Sequence, residues 1–308
     1  MTSPYSSIEI PAEAMGLVTV SPEPHEATAH VFVTEKRGKL GLLFWFSSAY
    51  ALLNVVGAIF AGAFGLESPS AVPFVNEYAA PNAHHIFGTD GYGRDIFSRV
   101  VYGSRVSLEV GLGAILIAFI IGGSFGMLAA YVRGKTDVII SSLMYTILAF
   151  PGIVLLIAVL TFWQPASIYK IILVVGVAAV PLVYRVIRAA TLSVATRDFV
   201  LAARVQGASS SRIIFRELLP NIAATVLSFL LIGIAGVIAL EGTLAFLGVS
   251  VRPPTPSWGN MIYEGQSSLP QSEYVVGFAG LAICLFLLSL NFMGDRLRSY
   301  FDVTEVKL

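Results

Sequence analysis

Residues 108–131 read LEVGLGAILIAFIIGGSFGMLAAY, a stretch with one carboxylate, no cation and otherwise apolar or small side chains. Crossing about 30 Å of hydrocarbon takes about 20 helical residues, so this run is long enough to span a bilayer. Lipid offers no water to an unsatisfied peptide group, and a barrel strand would alternate polar and apolar over about ten residues. The run is therefore read as a membrane-spanning helix. Five more runs of this kind occupy 40–64, 138–162, 168–184, 222–247 and 274–293, the fourth being short and meeting Pro181 near its end. The expectation is an all-α integral membrane protein with six transmembrane helices.

Composition agrees. The 308 residues are 56% apolar and 12% charged, with mean hydropathy +0.79, whereas a soluble domain carries roughly 25% charged residues. Net charge is zero, and the basic residues lie between the apolar runs and form no single patch, which argues against nucleic acid as a partner. Cys284 sits alone inside an apolar run and reads as packing. Residues 1–35 hold Pro4, Pro11, Pro22 and Pro24 with several glutamates and no basic residue, which fits a disordered cytoplasmic tail and not a secretory signal.

Lys and Arg set the orientation. One side of the membrane would hold Lys36, Arg37, Lys39, Arg133, Lys135, Arg185, Arg188, Arg197, Arg204, Arg212, Arg216, Arg296, Arg298 and Lys307; the other holds Arg94, Arg99, Arg105, Lys170 and Arg252. The richer side is read as cytoplasmic, with both termini there and the chain multi-pass in a bacterial inner membrane. Between the spans, the outer stretch 65–107 contains Asp90-Gly91 and Gly93 as turns, then Asp95 and Arg99 at i,i+4 beside Ile96, Phe97, Val100 and Val101, predicting an interfacial amphipathic helix.

The inner stretch 185–221 carries the mechanism. Asp198 can cap a short helix that begins near Phe199 and continues through Leu201, Ala202 and Ala203; Gly207 stands where a helix end favours a left-handed residue. Ser209 can cap a second short helix that shows Ile213, Ile214 and Phe215 before Leu218, Leu219 and Pro220, where proline is tolerated as the opening of the fifth span. Apolar side chains on display outside the membrane imply a partner protein with a groove.

The segment DFVLAARVQGAS at 198–209, followed by Arg212-Ile213-Ile214 and LLPN at 218–221, resembles the cytoplasmic coupling loop of ABC importer permeases. Leu201 stands where that family often has glutamate, so no charge contact is expected there. FGTDGYGRDIFSR at 87–99 with GSRVSL at 103–108, and EGTLAFLG at 241–248 running into PPTPSWGNM at 253–261, are similar to the C-type permeases of dipeptide, oligopeptide and nickel importers. The resemblance implies a type I permease fold, with residues 36–103 forming the first helix and outer loop, 104–293 the permease domain with its coupling loop at 198–220, and 294–308 a cytoplasmic tail. It further implies a second homologous permease, two ATPase subunits that supply ATP and Mg chemistry, and an extracytoplasmic peptide-binding protein. Asp198, Leu201, Ala202, Ala203, Gly207, Ile213, Leu219 and Pro220 would serve ATPase coupling. The cargo is read as dipeptides or oligopeptides, with nickel chelates or glutathione as the alternative. This chain would carry no cofactor and no catalytic site.

Other features weigh less. Gly134-Lys135-Thr136 lacks the glycine a phosphate loop needs, since position 129 is Ala129, and a spanning helix precedes it where a strand is required. Glu241 falls within the fifth span, where an ionised carboxylate costs about 2.5–3.5 kcal/mol at the helix centre. It either faces a watery translocation path or the partner permease, or lies near enough to the outer surface to be hydrated. Asn54 reads as a helix-packing residue, Gly122 and Gly126 as a close helix approach, and Tyr145, Phe150 and Pro151 as a cavity lining or a kink. The adjacent His84 and His85 do not by themselves make a metal site. A secondary transporter would need more intramembrane charge than Glu241 alone, and no nucleophile–base arrangement suggests a membrane hydrolase.

Overall fold

The computed structural model describes residues 40–302 apart from 74 and 166. The expected tail 1–35, the cations at 36, 37 and 39, and the end of the chain past residue 302 lie outside the described residues. The regular structure of the remainder is helical, with irregular backbone chiefly at 65–95 and 247–257, and the one pairing of extended backbone among the described residues is an isolated antiparallel bridge between Thr89 and Asp95.

Helix α1, Leu42–Phe60, is tightened by a 3₁₀ turn over Ala61–Phe64 and matches the first apolar run. Helix α2 spans Ile96–Val132 without interruption. The separate interfacial helix expected in the outer stretch is thus the first turns of the second span. Asp95 caps it, accepting a hydrogen bond from the Ser98 backbone N–H at 2.7 Å, and nothing between that cap and Leu108 stops a helix from propagating, which costs less than nucleating a new one. A π-helical turn over Phe119–Gly123 relaxes the middle.

The third run breaks. Helices α3, Gly134–Leu148, and α4, Gly152–Phe162, meet at 77°; five helices are long and apolar enough to cross alone, and the bent pair, counted as one broken span, gives six. Pro151 sits at the head of α4, and proline drives the residue before it, Phe150, away from helical geometry. Of the two readings left open for this stretch, the kink is realised.

Helix α5, Ile168–Ala195, passes through Pro181 and continues well beyond the predicted end at Tyr184, carrying Arg185 and Arg188 on its last turns. Helix α6 is Asp198–Val205. The predicted second short helix of the inner loop is not separate: Ser210–Phe246 is one helix, α7. Its early turns widen into π geometry over Ile213–Leu218 just ahead of Pro220, where the ring and missing N–H oppose a regular turn. Helix α8, Trp258–Gly265, and helix α9, Tyr274–Asp302, complete the chain.

Helices α2, α5 and α7 form the centre, with α9 and α1 layered outside and α8 wedged against α7 and α9. Small residues set the α2–α5 contact: a Cβ at Gly122 would stand 2.5 Å from the Val180 carbonyl oxygen, and one at Gly126 would stand 2.9 Å from that of Tyr184. Without aqueous hydrophobic drive between helices, such close approach supplies the packing. At the inner end Arg188 grips Asp137 with two hydrogen bonds of 2.6 Å, and Tyr184 meets Ser141 at 2.7 Å, tying α3 to α5.

A buried ion cluster closes the outer end. Arg94 pairs with Asp90 at 2.6 Å and with Glu264 at 2.8 Å; Arg99 pairs with the same Glu264 oxygen at 2.8 Å and donates to the Pro69 carbonyl at 2.9 Å. Asp95, four residues before Arg99, does not pair with it but serves the cap and contacts His85 Nδ1 at 3.1 Å. Glu264 thereby fastens α8 to the start of α2.

Two outcomes test these contacts. Gly122→Leu should cost about 1–3 kcal/mol of stability from overpacking, whereas Gly277→Ala, which points into open space, should be neutral; thermal unfolding in detergent reads the difference. Glu264→Gln strips both arginines of their shared carboxylate and should cost about 3–5 kcal/mol, seen in the same melts as a loss larger than that of the exposed pair variant Glu109→Gln.

Candidate functional site

The site is built on the turn between α5 and α7. The chain leaves α5 at Thr196, and Arg197 adopts extended backbone (φ −74°, ψ 151°) before α6 starts. Asp198 is the first helical residue and not the cap; Arg197 holds that place without a side-chain capping bond, and the Asp198 carboxylate complements the helix dipole from within the first turn. At the other end Gly207 takes φ +78°, with its N–H donating to the Arg204 carbonyl and that of Ala208 to Ala203, both at 3.0 Å. These are the two bonds of a Schellman ending, which needs a left-handed residue. Ser209 then caps α7, its hydroxyl accepting from the Arg212 N–H at 3.4 Å.

Helix α6 is anchored on one face. Val200 is fully buried in the same cluster as Ile213 and Leu218 of α7, a burial that stabilises by about 1.5–3 kcal/mol. Arg204 stacks over the ring of Tyr131 at 4.7 Å, holding the helix against the end of α2. Ala203 turns toward this packed side, and Leu219 is half-buried. The opposite face is bare: Leu201 is 48% exposed and Val205 90%, with Ala202 exposed between them and Phe215 of α7 67% exposed alongside. Of the eight residues that the resemblance marks for coupling, Leu201 and Ala202 therefore point outward, while Ile213 and Ala203 support from behind. Gly207 shapes the bend, and Pro220 lies exposed beyond the wide turn. Val205 and Phe215 were not among those eight; Val205, four residues from Leu201, shares its face of α6, and Phe215 is exposed on the first turns of α7.

Glu241 lies elsewhere, toward the outer end of α7. Its side chain is 0% exposed and is boxed by three hydroxyls: Ser250 at 2.8 Å and Ser257 at 3.0 Å on one oxygen, Ser107 at 3.5 Å on the other. Ser257 also caps α8, so the carboxyl joins α2, α7, the following loop and α8. Its surroundings are the chain's own walls, with no opening to the surface. The sequence could not locate these donors, which come from positions separated by 9, 16 and 134 residues.

The remaining candidates fall into place as structure. Asn54 donates to the Tyr50 carbonyl within α1, while the interhelix bond is made by the Tyr50 hydroxyl to Ala282 of α9. Gly134-Lys135-Thr136 opens α3 directly off α2. Cys284 is exposed on α9. Among the described residues no three His, Cys, Asp or Glu side chains gather as a metal set. An outer cleft of about 1090 Å³ opens beside the ion cluster, lined by Tyr78, Tyr92, Tyr263 and Glu264.

Known proteins share this architecture. The sequence family described as binding-protein-dependent transport system inner membrane component matches residues 122–303. The dipeptide transport system permease protein DppC of Alkalihalophilus pseudofirmus is 36% identical over 245 residues, 80% of each chain. The glutathione transport system permease protein GsiD of Pectobacterium atrosepticum is 36% identical over 222 residues, covering 72% of this chain and 73% of that one. Among solved structures, the inward-facing MetNI methionine ABC transporter in its CY5 native crystal form superimposes with a TM-score of 0.58 at 19% identity, over 67% of this chain and 97% of its own, a likeness of fold. With the spanning helices, the inner bend and these matches together, the chain belongs to the inner-membrane components of binding-protein-dependent transport systems, as an ABC importer permease of the peptide group.

Proposed function

We propose that the chain forms half of the translocation pathway for dipeptides or short oligopeptides, pairing with a second homologous permease and driven by two ATPase subunits. Glutathione remains within the same reading, because relatives named for it match at the same identity as those named for dipeptides. ATP and Mg act in the ATPase subunits and not in this chain. An extracytoplasmic peptide-binding protein delivers cargo at the end that carries the ion cluster and the tyrosine-lined cleft, and both termini are cytoplasmic.

The observation that carries the reading is the bare apolar face of α6, held rigidly by Val200, Arg204 and the Gly207 bend. Water would penalise Leu201, Val205 and Phe215 in that position; a groove on an ATPase subunit would bury them, and helix-in-groove docking reads just such a row. Asp198, Ala202, Ala203, Ile213, Leu219 and Pro220 then shape the surface that is gripped, either as contacts or as support. When ATP draws the two ATPase subunits together, the grip moves α6, and with it α5 and α7, between inward- and outward-facing arrangements. Hydrolysis releases it. Glu241 acts here as a pin for α8 and not as a cargo contact.

Copurification is the direct test. Val205→Asp and Leu201→Asp should each break capture of the ATPase subunits while the permease still melts normally, because both side chains face outward. Ala203→Asp should lower the permease's own melting temperature, since it faces the packed side. Retention of the ATPase by both outward variants would overturn the docking surface. Gly207→Val forces a β-branched residue into the left-handed region at about 1–2 kcal/mol; reconstituted complexes carrying it should hydrolyse ATP with little peptide uptake. Uptake by the chain alone, driven by an ion gradient without ATP, would contradict the importer reading.

A further inference from the structure

We propose that a pocket at the inner ends of α5, α7 and α9 is a binding site for the phosphate headgroup of an anionic phospholipid. The pocket holds about 450 Å³, within the usual range for a small-molecule site of about 300–1,000 Å³. It exists because α5 and α9 both lean on α7 from different sides, and α9 comes close at Gly294, where an added Cβ would stand 3.0 Å from the Ser228 carbonyl oxygen. That contact pulls α9 tight against α7 and leaves a wedge beside it facing α5.

The lining divides by chemistry. Arg185 from α5 and Arg298 from α9 bring two guanidinium groups to the lining, Arg298 with an interaction of its own besides, and none of the residues lining the pocket is acidic. Arg185 makes no ion pair or hydrogen bond among the described residues. The neighbouring Arg188, one turn on, is by contrast fully engaged with Asp137, so the difference is not a general property of cations on this helix. Thr225 contributes a hydroxyl, and Phe229 and Ile232 extend the wall along α7 toward the membrane interior. A basic rim over an apolar slot, between helices that span a bilayer, matches an amphiphile with an anionic head and an acyl tail. Basic pockets between spanning helices recognise phospholipid heads in this way, and Arg presents a fork that fits phosphate oxygens. A free phosphate would satisfy the rim but leave Phe229 and Ile232 without a partner, which favours the lipid as the source.

The test uses the assembled transporter in nanodiscs and native mass spectrometry of what it retains. Phosphatidylglycerol should be retained over phosphatidylcholine, and the double variant Arg185→Gln with Arg298→Gln should lose roughly tenfold or more of that preference. Arg252→Gln, which removes one positive charge on the far side of the membrane, should keep it. Size-exclusion profiles and ATPase capture identify any variant that has failed to assemble; the single variant Arg185→Gln, with a smaller loss in the same direction, then carries the test. Equal retention of the two lipids by the wild type, or an unchanged preference in the double variant, would overturn the proposal. So would displacement of the lipid by millimolar inorganic phosphate, which would assign the rim to a free anion, or by a dipeptide, which would assign it to the cargo path. Lipid retention is read without transport, so its failure leaves the importer reading standing.

Discussion

Every peptide group that this chain places in hydrocarbon has to find its hydrogen bond within the chain, and the architecture follows from that demand. It explains why the long segments are helices and why their interruptions are few and local. The irregular places are two wide turns, over Phe119–Gly123 and Ile213–Leu218, and one sharp break ahead of Pro151. Each is a recognised way of disturbing an i→i−4 ladder without abandoning it. The broken pair α3 and α4 is also the least enclosed part of the molecule, with Val138, Ile139, Phe150, Val154 and Phe162 all largely exposed. It is held through the Asp137–Arg188 fork and the Ser141–Tyr184 bond at one end and through Met144, Leu156 and Leu160 buried against α5.

The two ends of the molecule use opposite chemistry. At one end four charged side chains are drawn into the protein and neutralised against one another, a placement in which removing any member leaves an uncompensated buried charge. At the other, apolar side chains are pushed out on a short helix whose back face is firmly seated. A buried ion cluster gives a closed, geometrically defined rim; an exposed apolar row gives a surface whose stability depends on another molecule. Both are built where a spanning helix meets a connecting segment: Arg99 of α2 with Asp90, Arg94 and Glu264, and the start of α7 with α6.

Much of this was legible in the sequence because the signals are local. Six apolar runs, the Gly207 bend, the Ser209 cap and the close approach at Gly122 and Gly126 each depend on residues within a few positions of one another. What escaped was long-range. Asp95 and Arg99 have the spacing of a helical ion pair, but Glu264, 165 positions from Arg99, competes for the arginine, and the cap competes for the aspartate. Three helices run longer than the apolar runs that mark them: α2 starts at Ile96 and not Leu108, α5 ends at Ala195 and not Tyr184, and α7 starts at Ser210 and not Ile222. A helix has no reason to stop where its apolar run stops when the next turn still pays for itself, and these three do not. Glu241 was visible as an anomaly, yet its three hydroxyl partners are scattered over the chain, so its enclosure was not.

The continuity of α7 has a mechanical meaning. At 1.5 Å per residue a helix of 37 residues measures about 55 Å, nearly twice the hydrocarbon thickness, and this one begins at the bend beside α6 and carries Glu241 near its far end. Through the hydroxyl of Ser257 that end is joined to α8, and through Glu264 to the arginines that fasten the outer rim. A single rod of that length joins the inner bend to the outer rim with no joint between them, so a displacement imposed at one end is delivered to the other.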